Sequence, residues 1–177
     1  MAGTGVIVNQ EGPWTVGATA TIQVVFEHQS GDTTQYTAGD VVGDSTTVAR
    51  IQRFNGMARY NGGGGIIQSA IFIDSAAAAT KLDSELYLFD TAVTTQVDNA
   101  AWAPTNLDML NCVGVIPFPF GAFKTGSSNG IIAVTGIGLG FTCRANDVNL
   151  YGILVARNAF TPASLEVFEI RLQVLQD

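Results

Sequence analysis

The chain has 177 residues, 47% hydrophobic and only 13% charged, with a net charge of −7 and a pI near 4.4. A chain of this length is one domain's worth and buries roughly 70% of its unfolded surface, so it needs no staple to hold a core. Its two lysines and six arginines are scattered singly, which excludes the clustered basic surface that a phosphate backbone requires, and no nucleic-acid partner is expected.

Met-Ala-Gly-Thr-Gly-Val-Ile-Val at the start carries no basic residue and no long apolar run, so no signal peptide is expected; residues 4–9 read as a weak strand. Trp14, beside Pro13, is either a core aromatic or a contact aromatic. In segment 20–28, Ile22, Val24 and Phe26 alternate with Thr21, Gln23 and Glu27, and His28 continues the inward face. Turn residues follow at Ser30-Gly31-Asp32, Gly39-Asp40 and Gly43-Asp44, then a weak strand at 46–54 and a glycine turn from Asn61 to Gly65. Segments 66–74 and 84–90 are apolar on both sides, as in central strands, and Ala76 to Leu82 has room for a two-turn helix.

Thr105-Asn106-Leu107-Asp108 has the start of a capping box and predicts one helical turn before Asn111. A weak strand is expected at 112–117. Ile116 to Phe123 packs Phe118, Phe120 and Phe123 with Pro117 and Pro119 into a probable loop, because proline breaks strand pairing. Those rings either stand out as an interaction patch or form a satellite core under the loop. After the turn at Gly126–Gly130, strands are expected at 130–143 and 148–157, separated by Asn146-Asp147. The clearest alternation is the last: Phe168, Ile170, Leu172 and Val174 on one face, Glu169, Arg171 and Gln173 on the other. Eight or more short strands at this spacing predict an all-β chain, an antiparallel β-sandwich of jelly-roll-like form with at most one or two short helices. It reads as a single domain over 1–177, with 1–35 as an N-terminal docking strand or arm. The longest uncharged stretch, Thr125 to Cys143, is too polar to span a bilayer, and no membrane association is expected.

Catalytic patterns are searched for and set aside. Gly126-Ser127-Ser128-Asn129-Gly130 matches a nucleophile elbow in letters, but strand text follows where that elbow needs a helix, and the one histidine, His28, lies upstream. One histidine builds no histidine-based zinc site, and the acidic pairs lack calcium-loop spacing. Asn61–Gly65 lacks the lysine of a phosphate loop, and Gly136–Gly140 lacks the last glycine of a dinucleotide fingerprint; both read as turns or as sites of close backbone approach. No enzyme activity, cofactor or metal is expected. Cys112 and Cys143 follow no metal or redox motif; two small buried thiols are the simpler reading and a disulfide the other, and synthesis in a cytoplasm fits both.

A series of short motifs nevertheless resembles a group of phage and prophage virion proteins. It opens with Tyr36-Thr37-Ala38-Gly39-Asp40-Val41-Val42-Gly43 and continues with Gly64-Gly65-Ile66-Ile67-Gln68-Ser69 and Leu86-Tyr87-Leu88-Phe89-Asp90. Asp98-Asn99-Ala100-Ala101-Trp102-Ala103-Pro104, Val113 to Ile116, Leu150 to Val155 and Leu175-Gln176-Asp177 complete it. The similarity covers roughly 36 to 177 and leaves 1–35 outside. The resemblance implies a head decoration or cement-like protein on the capsid exterior, made in the host cytoplasm. It implies binding to the major capsid protein and homo-oligomers, dimers or trimers; it carries no catalytic residues over. The expected interaction surface is Trp14, Trp102, Phe118, Phe120 and Phe123. The alternative is a carbohydrate- or receptor-binding module on the virion surface, for which Trp102 beside Asp98 and Asn99 is the best candidate.

Overall fold

The computed structural model describes residues 18–27, 31–76 and 80–177. Among the described residues, ten strands form two antiparallel sheets packed as a sandwich. They are β1 (Ala18–Glu27), β2 (Val41–Val42), β3 (Gln52–Phe54), β4 (Gly64–Asp74), β5 (Ser84–Phe89), β6 (Cys112–Phe118), β7 (Lys124–Thr125), β8 (Gly130–Thr142), β9 (Leu150–Ala156) and β10 (Val167–Gln176). The first sheet has the order β1-β10-β4-β8-β7 and the second β2-β9-β5-β6, with β3 pairing β9 as well. The helical content is α1 (Asn106–Met109) and one 3-10 turn at Phe120–Ala122.

The predicted alternation is what places the core. On β10 the side chains of Phe168, Ile170, Leu172 and Val174 are wholly buried, and they meet Ile67, Ala70 and Phe72 of β4 with Leu86, Leu88, Leu150 and Leu154 from the other sheet. A period of two on both layers lets the two apolar faces close on each other. Phe72 is the hub: its ring lies 5.3 Å from Phe118, 5.5 Å from Phe168 and 5.8 Å from Phe123, centroid to centroid.

Glycine permits two irregularities that the strands need. Opposite Gln68, the pairing of β4 with β8 jumps from Ile67–Leu139 to Ser69–Thr135. The residues looped out on β8 include Gly136 and Gly138, with φ of +70° and +64°, a conformation costly for any residue with a Cβ. At Gly64 and Gly65 the reason is proximity: a Cβ there would sit 2.5 Å from the carbonyl oxygen of Phe141 and 2.4 Å from that of Leu175. The glycine runs are bulge and close-approach elements, as expected.

Three local expectations change, and two short strands come unannounced. The helix at Ala76–Leu82 does not form at its described positions; Asp74 Oδ1 accepts from the Ala76 amide at 2.8 Å and turns the chain there. Only Gln52–Phe54 of the 46–54 strand is extended, because the Ser45 hydroxyl accepts from the amides of Thr47 and Val48 and bends the preceding residues. The loop expected from 116 is strand as far as Phe118: β6 is the edge of its sheet, where a missing proline N–H leaves no inner partner unpaired. The strands β2 and β7, two residues each, carry no pattern long enough to read. The capping box does form: Thr105 Oγ1 accepts from the Asp108 amide at 3.1 Å, while Asp108 accepts from the Thr105 amide at 2.9 Å.

Candidate functional site

Two segments of the resemblance, 62 residues apart, interlock. Tyr36 is fully buried and its hydroxyl donates to Asp98 Oδ1 at 2.6 Å; the Gly43 amide donates to the same oxygen at 2.7 Å. Backbone bonds lace the segments together: Val41 to Ala100 at 2.9 Å, Asn99 to Val41 at 2.9 Å and Trp102 to Gly39 at 2.9 Å. Asn99 takes a φ of 60°, the left-handed region that asparagine tolerates best among residues with a Cβ. The shared letters of these motifs are therefore scaffold: an inward phenol, an inward carboxylate and a turn between them. Burial, then the Asp98 charge, drives the Tyr36 phenol far above its ordinary range, so it remains a donor.

This arrangement decides where the expected contact residues stand. Trp102 is half-buried over Tyr87 and Phe89, at 4.3 Å and 6.5 Å between centroids, in a small apolar cluster with Val41, Ile153 and Val155 on the outer side of the second sheet. Asp98, which a glycan site beside Trp102 would need, points inward and is engaged by Tyr36 and Gly43. Phe118 is removed from the interaction surface: it lies on the inward face of β6 and is wholly buried against Phe72. Phe123 is partly buried against the same core. Phe120, in the 3-10 turn, is 44% exposed. Trp14 and His28 lie outside the described residues.

The two sheets differ on their outer sides. The second carries that small cluster, covered by the segments around Ile51, Val93 and Trp102. On the first, among the described residues, no such cover lies over the outward side chains of β1, β10, β4 and β8. Ile131 is paired with Ile73, which is paired in turn with Glu169 and that with Val25; the next row runs Ala133, Ile71, Arg171, Gln23. Val25 is 49% and Ile131 41% exposed. The strands β10, β4 and β8 place only two charges on this face, Glu169 and Arg171, which pair with each other. Ile71, Ile73, Ile131 and Ala133 of β4 and β8 thus form an aliphatic patch, bordered by Glu169 and Arg171 on β10 and by Lys124 on β7, and an apolar patch of this kind marks an interaction site.

A second feature lies inside. Asp74, Lys81 and Glu166 are all buried, Lys81 at 1% and Glu166 at 2% exposure. Lys81 Nζ stands 3.0 Å from Asp74 Oδ2 and also donates to the Ala76 carbonyl. Glu166 Oε2 accepts from the Ala163 amide at 2.6 Å, and the Asp74 carboxyl is its electrostatic neighbour. Burial, then that contact, pushes the Glu166 carboxyl up to about 8. A carboxyl raised above its ordinary 4.5 holds its proton more tightly folded than unfolded. Its contribution to stability is thus full below pH 4.5 and is lost as pH rises through 8. Unfolding free energy is expected to fall across that window with a slope of about one proton, and Glu166→Gln to flatten it; denaturant titrations at stepped pH read the slope.

Cys112 and Cys143 are free thiols, Cys143 buried and pushed up to about 11, chiefly by burial. Among the described residues no three of His, Cys, Asp and Glu gather as metal ligands, and no helix is long and apolar enough to cross a membrane. No protein-family model matches the chain, and no curated protein matches it.

Proposed function

We propose that this chain is a virion structural protein that docks on the outer surface of a phage capsid, as a decoration or cement protein. The observation that carries the reading is the uncovered aliphatic patch on the outer face of the first sheet. An aliphatic patch on β4 and β8 favours docking over turnover, and the motif series of residues 36–177 supplies the partner, a major capsid protein. The strand order, β1-β10-β4-β8-β7 facing β2-β9-β5-β6, supports a jelly-roll-like reading of the sandwich, an architecture used in viral capsid proteins as well as lectins. The edge of β1, unpaired on its outer side among the described residues, and the apolar patch together favour self-association into dimers or trimers, which would multiply weak capsid contacts through effective concentration. Each bound copy would stabilise the closed shell by mass action.

Addition of the purified chain to capsids lacking it is expected to give saturable binding and shells more resistant to heat. Ile71→Lys combined with Ile131→Lys, both on the outer face, is expected to abolish that binding while changing folding stability by less than about 1 kcal/mol. Cosedimentation with naked capsids and denaturant unfolding read the two effects separately. Undiminished binding by the double variant would remove the sheet face from the interface, and absence of binding by the native chain would overturn the capsid reading.

A further inference from the structure

We propose that Lys81 and Asp74 condense to an intramolecular isopeptide bond, with Glu166 carrying the protons. The inference goes beyond capsid docking and is independent of it.

Three buried ionisable groups in one apolar pocket need an explanation, because an isolated ion pair costs more to desolvate than it commonly returns. Asp74 ends β4 on the inward side, two residues after Phe72, in the space bounded by the rings around that residue. Gly130, its partner across the strands, leaves room for the lysine: a Cβ at Gly130 would lie 2.8 Å from Lys81 Cε and 3.2 Å from Nζ. The lysine backbone is held from the opposite side, where Asn158 Nδ2 donates to the Lys81 carbonyl at 3.0 Å and Asn158 Oδ1 accepts from the Asp83 amide at 3.0 Å. The amine is therefore delivered to the carboxyl by structure from both sheets, at a separation close to attack distance.

The carboxyls carry the second clue. The buried oxygens without a hydrogen bond include Asp74 Oδ2, whose neighbour is Lys81 Nζ at 3.0 Å, and Glu166 Oε1. A proton carried on Glu166 turns its unpaired Oε1 into a donor. A protonated Glu166 beside Asp74 polarises the Asp74 carboxyl as an electrophile.

The step balances without an outside reagent. One ammonium proton of Lys81 passes to the Asp74 carboxylate and frees the nitrogen lone pair. Nζ then bonds to Asp74 Cγ as Glu166 gives its proton to the carboxyl oxygen. Glu166 takes a second proton from Nζ and gives it to the departing hydroxyl; the Cγ–O bond breaks to release water, and the proton on the remaining hydroxyl passes back to Glu166 as the amide carbonyl forms. An ammonium and a carboxylate become one amide and one water; Glu166 ends protonated, as it began, and nothing is oxidised or reduced. The bond joins the end of β4 in the first sheet to the residue just ahead of Leu82 and β5, closing the crossover between the sheets.

Intact-mass spectrometry of the purified full chain tests this directly. The native protein is expected to be lighter than its sequence by one water, and Lys81→Met and Glu166→Gln to have their full masses. After denaturation, trypsin is expected to leave the bond after Lys81 uncut and to yield a single Tyr60–Lys124 peptide carrying the deficit. Asp74→Asn offers the same chemistry with a different leaving group and is expected to lose ammonia instead. A native chain of full mass, cut normally after Lys81, would overturn the proposal; a deficit that persists in Glu166→Gln would overturn the role of that residue. Mass is read on the free chain, so its outcome and that of capsid binding are separable.

Discussion

Phe72→Ala is expected to lower folding stability by about 3–5 kcal/mol, the range for truncating a buried phenylalanine. Phe72 is wholly buried on β4, and its ring touches Phe168 of the same sheet, Phe118 of the other and Phe123 beyond the 3-10 turn. Removing it leaves a cavity between the layers and cancels three aromatic contacts, each worth roughly 0.5–1.5 kcal/mol beyond burial. The backbone there cannot collapse to fill the space, because β4 is held by β10 on one side and β8 on the other. A domain stable by about 5–15 kcal/mol would lose a large share of its margin. Denaturant titration reads the loss, with Ile131→Ala on the outer face as the comparison. If the two variants lost equal stability, the core would not be centred on Phe72.

Asp98→Ala is expected to cost about 3 kcal/mol, from a different cause. It takes one acceptor from two buried donors, the Tyr36 hydroxyl and the Gly43 amide, and charge-assisted bonds contribute roughly 1.5–3 kcal/mol each. Asp98→Asn keeps an oxygen in place and is expected to lose less. A cycle with Tyr36→Phe isolates the coupling between the two side chains, since removing both partners strands fewer groups than removing one. Hydrogen exchange at the Gly43 amide would report the same unlinking locally: protection is expected to drop in Asp98→Ala and to persist in Tyr36→Phe. Full additivity in the cycle would mean that the segments are joined by their backbone bonds alone.

The strands with the longest alternation were the most legible. Leu165 to Leu175 reads as one amphipathic strand, and β10 buries the expected side chains. The short elements were not, because β2 and β7 exist only through their partners and two residues hold no period. The segment 116–123 misled because proline's meaning depends on position: in a central strand Pro117 would break pairing, while on the edge strand β6 it does not. Phe118 was therefore assigned outward and lies inward. Two-sided apolarity in 66–74 correctly indicated a central strand, yet its outer side chains, Ile71 and Ile73, face no second layer among the described residues. That difference is where the candidate docking face lies.

Composition, alternation and turn chemistry alone determine that this chain is β-rich and antiparallel and which side chains turn inward, since a side chain's face follows from residue parity within each strand. Tertiary structure alone decides which sheet remains uncovered and that Asp74, Lys81 and Glu166 share one pocket. Those facts depend on crossovers that bring distant residues together, like Ser75 and Val167, 92 positions apart, and local periodicity holds no information at that separation. Asp74 shows the boundary between the two. Its inward parity is legible as a carboxylate on an apolar face, but the lysine and the glutamic acid that give it a chemical use arrive by different connections.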